Sequence, residues 1–150
     1  MFNACRSLTS LDVSGFDTSA VTDMAYMFHD CSGLRQLDVS GFDTGKVTDM
    51  NFMFSDCTGL TALDVSGFDT GNVADMSTMF AFDSGLTSLD VSGFDTTRLT
   101  NCTGMFVGCR RLETLDLSNF RYDGVATGDM FKDCDKLVDV NHPDYNKLLG

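Results

Sequence analysis

The stretch "LDVSGFDT" at residues 11–18 returns unchanged at 37–44, 63–70 and 89–96, and a diverged copy, "LDLSNFRY", follows at 115–122. Methionines keep the same spacing, at positions 1, 27, 53, 79 and 105, with another at 130. A fixed period of roughly 20–50 residues is typical of stacked repeats, in which each coil buries its apolar side against its neighbours. The sequence therefore predicts one domain over residues 1–150, built of about five to six coils that begin at these methionines.

Composition narrows the classes of partner. The chain has 22 acidic and 10 basic residues, a net charge of −12, and 43% hydrophobic residues, which is typical of a globular protein. Such an acidic chain repels nucleic-acid phosphates and anionic lipid, so we expect no nucleic-acid partner. No stretch approaches the ~18–20 apolar residues that a membrane-spanning helix needs, so we expect no membrane insertion.

Within one coil the hydrophobic pattern changes its period. Met24, Met27, Phe28 and Cys31 stand at i, i+3, i+4 and i+7, which predicts a short helix that begins after Thr22 and is closed by Gly33. The next stretch, residues 36–40, alternates apolar and polar side chains, which predicts a short strand with one buried face. We therefore expect an α/β protein with one short parallel strand and one short helix in each coil.

The ends of the chain also fit the repeat. The first residues, "MFNAC", align with "MFHDC" at 27–31, so the chain begins in the middle of a repeat and we expect the preceding half to be missing. After Leu137 the pattern fades, and Pro143 is unfavourable in a central strand. Residues 138–150 are therefore predicted to form a C-terminal cap.

The full repeat, M-F-x-x-C-x-x-L-x-x-L-D-V-S-x-F-D-T-x-x-V-T-D-M, resembles the BspA-like leucine-rich repeats of bacterial surface proteins over residues 1 to about 140. The resemblance implies a leucine-rich-repeat-like right-handed solenoid in an extracellular or cell-surface setting. It also implies adhesion, or binding of a protein or polysaccharide ligand, with host matrix among the candidates. It implies no catalytic residues.

One column of acidic residues alternates with buried positions and should line the open face of the stacked strands. Carboxylates in neighbouring strands would lie ~5 Å apart, and their repulsion must be offset. Hydrogen bonds from nearby Ser or Thr are the favoured explanation, while raised pKa values, bound calcium and a basic ligand remain alternatives. The predicted binding face comprises Asp12, Asp38, Asp64, Asp90, Asp116, Ser14, Ser40, Ser66, Ser92 and Gln36. A face so flat and repetitive suits a periodic ligand, although it could also serve only to keep the sheet soluble.

A second candidate surface lies on the predicted helical side. Tyr26 and Phe52 occupy the same position in neighbouring coils and should stand side by side as a small aromatic patch. Such a patch could anchor a partner, although packing between neighbouring helices is the favoured explanation.

The reactive side chains do not predict an enzyme. "HDC" at 29–31 has the letters of a catalytic trio, but residues one and two apart on a helix do not face each other. Cys5, Cys31, Cys57, Cys109 and Cys134 share one repeat position, and helices pack ~8–10 Å apart, beyond the ~7 Å that a disulfide allows. A column of buried free thiols is therefore expected, with Cys102 and Cys109 as the pair to suspect if a bridge exists. The cysteine spacings do not match a zinc site, and no metal or cofactor is predicted.

The sequence thus favours a non-catalytic module that binds a ligand. The alternative is a self-assembling stalk, because an open strand edge at the end of a stack invites another copy of the chain.

Overall fold

The computed structural model describes residues 1–143 and 145. Within them lie two β-strands, β1 (Thr114–Asp116) and β2 (Asp139–Asn141), which pair in parallel with Leu115 opposite Val140. Residues 1–143 contain no helix. The predicted α/β leucine-rich-repeat-like right-handed solenoid, with a strand and a helix in every coil, is therefore wrong.

The stretch predicted to be a helix is a series of tight turns. Tyr26 and Asp30 have backbone φ angles of 57° and 56°, and Phe52 and Asp56 in the next coil have 53° and 64°. A right-handed helix requires negative φ at every residue, so a left-handed residue at every fourth position ends it each time. The left-handed conformation costs roughly 1–2 kcal/mol for a residue other than glycine, and contacts between the coils must offset this cost.

The apolar spacing led to the wrong prediction because it fits both a helix and a series of tight turns. The turns close through bonds between residues three apart, such as the N–H of Met27 to the carbonyl of Met24 and the N–H of Cys31 to the carbonyl of Phe28, each at 3.2 Å. All four of these side chains are buried, as the helical pattern requires. Because the turns also recur every four residues, the i, i+3, i+4, i+7 pattern cannot distinguish them from a helix.

Alternate residues of the turn segment bind the coil that follows. The N–H groups of Met24, Tyr26 and Phe28 donate to the carbonyls of Asp49, Asn51 and Met53, at 2.9, 3.0 and 2.9 Å. The same bonds recur one coil later, from Met50, Phe52 and Phe54 to Asp75, Ser77 and Met79. Hydrogen bonds between turn segments, rather than packed helices, therefore join successive repeats.

The opposite side of each coil carries the residues predicted to form a strand. Burial alternates there as expected, since Leu37 and Val39 are buried while Gln36, Asp38 and Ser40 are exposed. Regular strands, however, form only at β1 and β2 in the described part of the chain. Between the first coils the contacts are isolated, such as the N–H of Arg35 to the carbonyl of Thr9 at 3.4 Å. The turn segments already fix the distance between the coils, and the other side stays open as a groove.

A row of stacked phenylalanine rings runs through the core. Neighbouring centroids lie between 5.6 and 6.0 Å apart, with planes within 9° of parallel. Burying each such ring contributes roughly 1.5–3 kcal/mol before entropy is subtracted. We call this row the Phe ladder; its members are Phe2, Phe28, Phe54, Phe80, Phe106 and Phe131.

Glycine is required where one coil passes closest to the next. A Cβ atom on Gly59 would collide with the carbonyl oxygen of Leu34 and lie 2.7 Å from that of Ser32. Gly33 and Gly85 meet the preceding coil in the same way. The sequence assigned Gly33 to the end of a helix, but its role is this close approach of two backbones.

Candidate functional site

An open groove crosses the first four coils. Its volume is about 760 Å³, and Leu37, Leu63 and Leu89 are the buried side chains along it. Because each coil contributes the same type of residue, the lining repeats along the stack. The exposed side chains of the groove are Ser10, Asp12, Arg35, Gln36, Asp38, Thr61, Ala62, Asp64, Ser88 and Asp90.

Local hydrogen bonds hold the carboxylates of the groove. Oδ1 of Asp12 accepts bonds from the hydroxyl of Ser14 at 2.7 Å and from its N–H at 3.0 Å, and Asp64 accepts the same two bonds from Ser66. These bonds, the hydroxyl bond first, lower the pKa of both aspartates below the ordinary value. Both groups are therefore ionised at neutral pH.

Asp38 occupies the middle of the same row. The N–H of Ser40 donates to its Oδ1 at 3.0 Å. Hydrogen bonding to Ser40 lowers the pKa of Asp38, although the negative charges of Asp64 and Asp12 oppose this shift. Hydrogen bonds from serine, which the sequence favoured, therefore explain how this column of carboxylates is accommodated.

The remaining residues of the predicted face lie around this groove. Ser92 donates its hydroxyl to Asp90 at 2.7 Å, which repeats the pairs described above. Ser40 and Ser66 line a small cavity of about 120 Å³ beside Asp64. Asp116 lies apart, in a cavity of about 620 Å³ at the paired strands β1 and β2. The structure thus brings Asp12, Asp38, Asp64, Asp90 and Gln36 into one groove, and Asp116 into another.

The two residues of the predicted aromatic patch do meet. The rings of Tyr26 and Phe52 stack with centroids 4.7 Å apart and planes 7° from parallel, and Tyr26 is 39% exposed. His29 packs edge-on against both rings, at 5.5 and 5.7 Å, and its Nδ1 lies 3.2 Å from the carbonyl oxygen of Ser55. His29 is therefore part of the aromatic cluster.

All six cysteines are free thiols, and for the five that share one repeat position this was predicted. The thiols of Cys31 and Cys57 donate to the carbonyl oxygens of Phe2 and Phe28, at 3.0 and 3.1 Å. Cys102 and Cys109, the pair to suspect if a bridge existed, are not joined; Cys102 directs its Sγ at Met130, with the two sulfur atoms 3.9 Å apart. In the described part of the chain, no cluster of three or more His, Cys, Asp or Glu side chains is arranged to hold a metal ion.

Sequence reasoning missed a column of buried hydroxyls. Thr44 and Thr70 are 2% and 1% exposed, and their hydroxyls donate to the carbonyls of Asp69 and Asp95, at 2.9 and 3.0 Å. Thr18 makes the equivalent bond to Asp43 at 3.1 Å. The signal was present, because a threonine ends every copy of "LDVSGFDT". These bonds hold the turn that follows the groove.

Among the described residues, no helix has the length and hydrophobicity needed to cross a membrane. A family model with the description "Mycoplasma protein of unknown function, DUF285" matches residues 1–81 and 61–147. No curated protein and no solved structure matches the chain.

Proposed function

Since the chain belongs to the DUF285 family of Mycoplasma proteins of unknown function, we propose its role from its geometry: a non-catalytic module that binds an extended ligand in the groove. The observation that carries this proposal is a single cavity of about 760 Å³ lined by equivalent residues of four successive coils. A compact epitope would contact the same types of side chain in whichever coil it bound, so these contacts would give it little specificity. An extended ligand with its own repeat can use each coil in turn.

The spacing of the coils suits a peptide strand. Phe2, Phe28, Phe54 and Phe80 belong to the four coils that line the groove, and the centroids of their successive rings lie 5.6–5.8 Å apart. In an extended peptide, side chains on one face recur every ~6.6–6.8 Å. Long, flexible side chains accommodate this difference, so alternate residues of a ligand can each reach one coil.

Charge favours a basic ligand. Asp12, Asp38, Asp64 and Asp90 line the groove, and Arg35 is the cationic side chain beside them. Each exposed ion pair contributes only ~0.2–1 kcal/mol, so binding requires several pairs together and weakens as salt rises. We therefore propose a protein partner that presents Lys or Arg at alternate positions of an extended segment.

The setting is also part of the proposal. The resemblance of the repeat to BspA-like repeats supports a surface or secreted protein that takes part in adhesion. A neutral polysaccharide, held by Ser88, Gln36 and the hydroxyls beside them, is the other class of ligand that such a face could accept.

Binding of a labelled peptide tests the proposal. The probe alternates Lys and Ser, and a second peptide of identical composition groups the lysines in one block. The double variant Asp38→Asn, Asp64→Asn should weaken binding of the alternating peptide several-fold, measured by fluorescence anisotropy at low salt. The matched control is Asp43→Asn, Asp69→Asn. It removes the same charge from carboxylates that accept similar backbone bonds, from Gly45 and Gly71 at 3.1 and 3.0 Å, outside the groove.

The outcomes separate the possibilities. Equal losses in both double variants, or equal binding of both peptides, would show non-specific attraction to an acidic protein and contradict the proposal. Binding that survives in the groove variant would place the ligand elsewhere, with Tyr26 and Phe52 the next residues to replace. Binding of a neutral glucan alone would favour the polysaccharide alternative.

Association of copies end to end receives less support. The ring of Tyr145 packs edge-on against Phe131, with centroids 5.7 Å apart, and so covers the last ring of the Phe ladder. Light scattering over a concentration series tests this alternative directly, because end-to-end stacking requires the mass to rise with concentration.

A further inference from the structure

The fourth coil breaks the column of thiols. Asp83 stands at the position that Cys31, Cys57 and Cys109 hold in other coils, and its side chain is fully buried. The side chain at this position is a hydrogen-bond donor: the thiols of those three cysteines donate to the carbonyls of Phe2, Phe28 and Phe80, at 3.0, 3.1 and 3.0 Å. A carboxylate has no hydrogen to donate, whereas the protonated acid has one.

The two oxygen atoms of Asp83 differ in their environment. Oδ1 accepts a hydrogen bond from the N–H of Cys57 at 2.8 Å. Oδ2 is buried and has no hydrogen-bond partner in the described part of the chain. By the register of the repeat, the carbonyl of Phe54 is the acceptor that corresponds to this position, because Cys57 uses Phe28 and Cys109 uses Phe80. Only a protonated Oδ2 could make that bond.

The surroundings oppose a negative charge. Asp56 of the preceding coil is the charged side chain near Asp83, and its carboxylate has the same sign. The thiols of Cys57 and Cys109 face Asp83 from the coils on either side, and burial keeps both neutral by raising their pKa. Among the described residues, no Lys, Arg or His forms an ion pair with Asp83. Burial, the largest cause, raises the pKa of Asp83 well above its ordinary value; the hydrogen bond from the N–H of Cys57 opposes this shift, and the Asp56 charge adds to it.

We infer that Asp83 is a proton-dependent contact between the third and fourth coils, which is intact when the carboxyl group is neutral and loosens when it ionises. In the unfolded chain this group loses its proton near its ordinary pKa of ~3.9, whereas in the folded chain it keeps the proton to higher pH. Its contribution to stability is therefore complete below that pH and is lost as the pH rises towards the folded value. The lowered pKa values of Asp12, Asp38 and Asp64 give the opposite trend, so the test must isolate Asp83.

Urea unfolding of the full chain, under reducing conditions and from about pH 4 to about pH 8, tests the inference. Asp83→Cys restores the thiol of the repeat, and Asp83→Asn keeps an acceptor and a donor that do not titrate. Relative to both variants, the urea midpoint of the parent chain should fall as the pH rises. The corresponding pH dependence of its free energy of unfolding should amount to a difference of at most one bound proton. Asp90→Asn removes the same charge from an exposed site of the same coil. Its unfolding midpoint should fall with pH, relative to the two Asp83 variants, as much as that of the parent chain does.

If the parent and both Asp83 variants change in parallel with pH, the inference is wrong. Hydrogen exchange at the Cys57 amide gives a second, local measurement that needs only the parent and the asparagine variant. After correction for the intrinsic exchange rate, protection of this amide should decline with pH in the parent and stay level in Asp83→Asn. Equal protection profiles would overturn the inference even if global unfolding were dominated by other groups.

Discussion

The aromatic rings of Phe54 and Phe80 lie one above the other, with centroids 5.8 Å apart and planes 4° from parallel. Both side chains are completely buried. Phe54 also stacks on Phe28 at 5.6 Å, so it is enclosed on two sides by rings of neighbouring coils. Backbone hydrogen bonds fix the spacing of those coils, and the walls around Phe54 cannot close if its ring is removed.

Replacing Phe54 with alanine should therefore destabilise the protein by roughly 3–5 kcal/mol, the cost of a large cavity in a core that relaxes little. Urea unfolding measures the loss. Phe82→Ala is the control, because Phe82 is 46% exposed and its removal should cost about 1 kcal/mol or less. Equal losses in the two variants would show that the Phe ladder does not carry the stability assigned to it.

Gly59→Ala should destabilise the fold by roughly 1–3 kcal/mol, because the new methyl group collides with backbone atoms of the preceding coil. Backbone cannot move aside as a flexible side chain can. Gly67→Ala provides the matched comparison, since a Cβ atom there has no neighbour within 4 Å. Thermal unfolding of both variants decides the point, and a Gly59 variant as stable as the Gly67 variant would contradict it.

Thr44→Val should cost roughly 1–3 kcal/mol, although valine has nearly the same shape as threonine. The change removes the hydroxyl that donates to the carbonyl of Asp69 at 2.9 Å, in a position only 2% exposed. Water cannot replace this bond easily. Thr48 makes a similar bond to Thr22 at 3.2 Å but is exposed, so Thr48→Val should change the unfolding midpoint much less. A larger effect at Thr48 would refute the importance of burial.

Alkylation of the native protein at about pH 8 should label Cys5 before the buried cysteines. Burial raises the pKa of Cys134 to about 11 and that of Cys102 to about 12, and it raises the pKa of Cys57 and Cys109 as well. Few of these thiols are ionised at that pH, and Cys57, Cys102 and Cys109 are also buried. Mass spectrometry of the labelled peptides measures the order of reaction, and all six should react once urea unfolds the chain. Early labelling of Cys57 would indicate that the stack opens readily.

The sequence was sufficient for the period and the core. The apolar spacing predicted that Phe28 is buried, and the alternation around Val39 predicted which neighbouring side chains face outward. The row of Asp38 and Asp64 on one face also followed from that alternation, because burial alone decides which side chains turn to solvent.

The local backbone could not be predicted, for two physical reasons. Turns that repeat every four residues bury the same positions as a helix does, so the pattern around Met27 fits both. The left-handed conformation at Asp30 suits an aspartate, but at Tyr26 and Phe52 the side chain gives no such signal. The groove forms where the backbones of neighbouring coils do not pair as regular strands. Alternation of apolar and polar residues predicts which side chains are buried, but it does not predict whether the backbones form hydrogen bonds. The four carboxylates of the groove were identified, but the cavity between them was not.

Because the rings of the Phe ladder are evenly spaced, the number of repeats determines the length of the groove. Each 26-residue unit adds one ring at a distance of about 5.6–5.8 Å and, with it, one carboxylate. Duplicating or deleting a whole unit leaves every contact within the remaining units unchanged, since a coil touches only its neighbours. Genetic variation in copy number could thus lengthen or shorten the groove, in fixed increments, without changing any residue of the repeat.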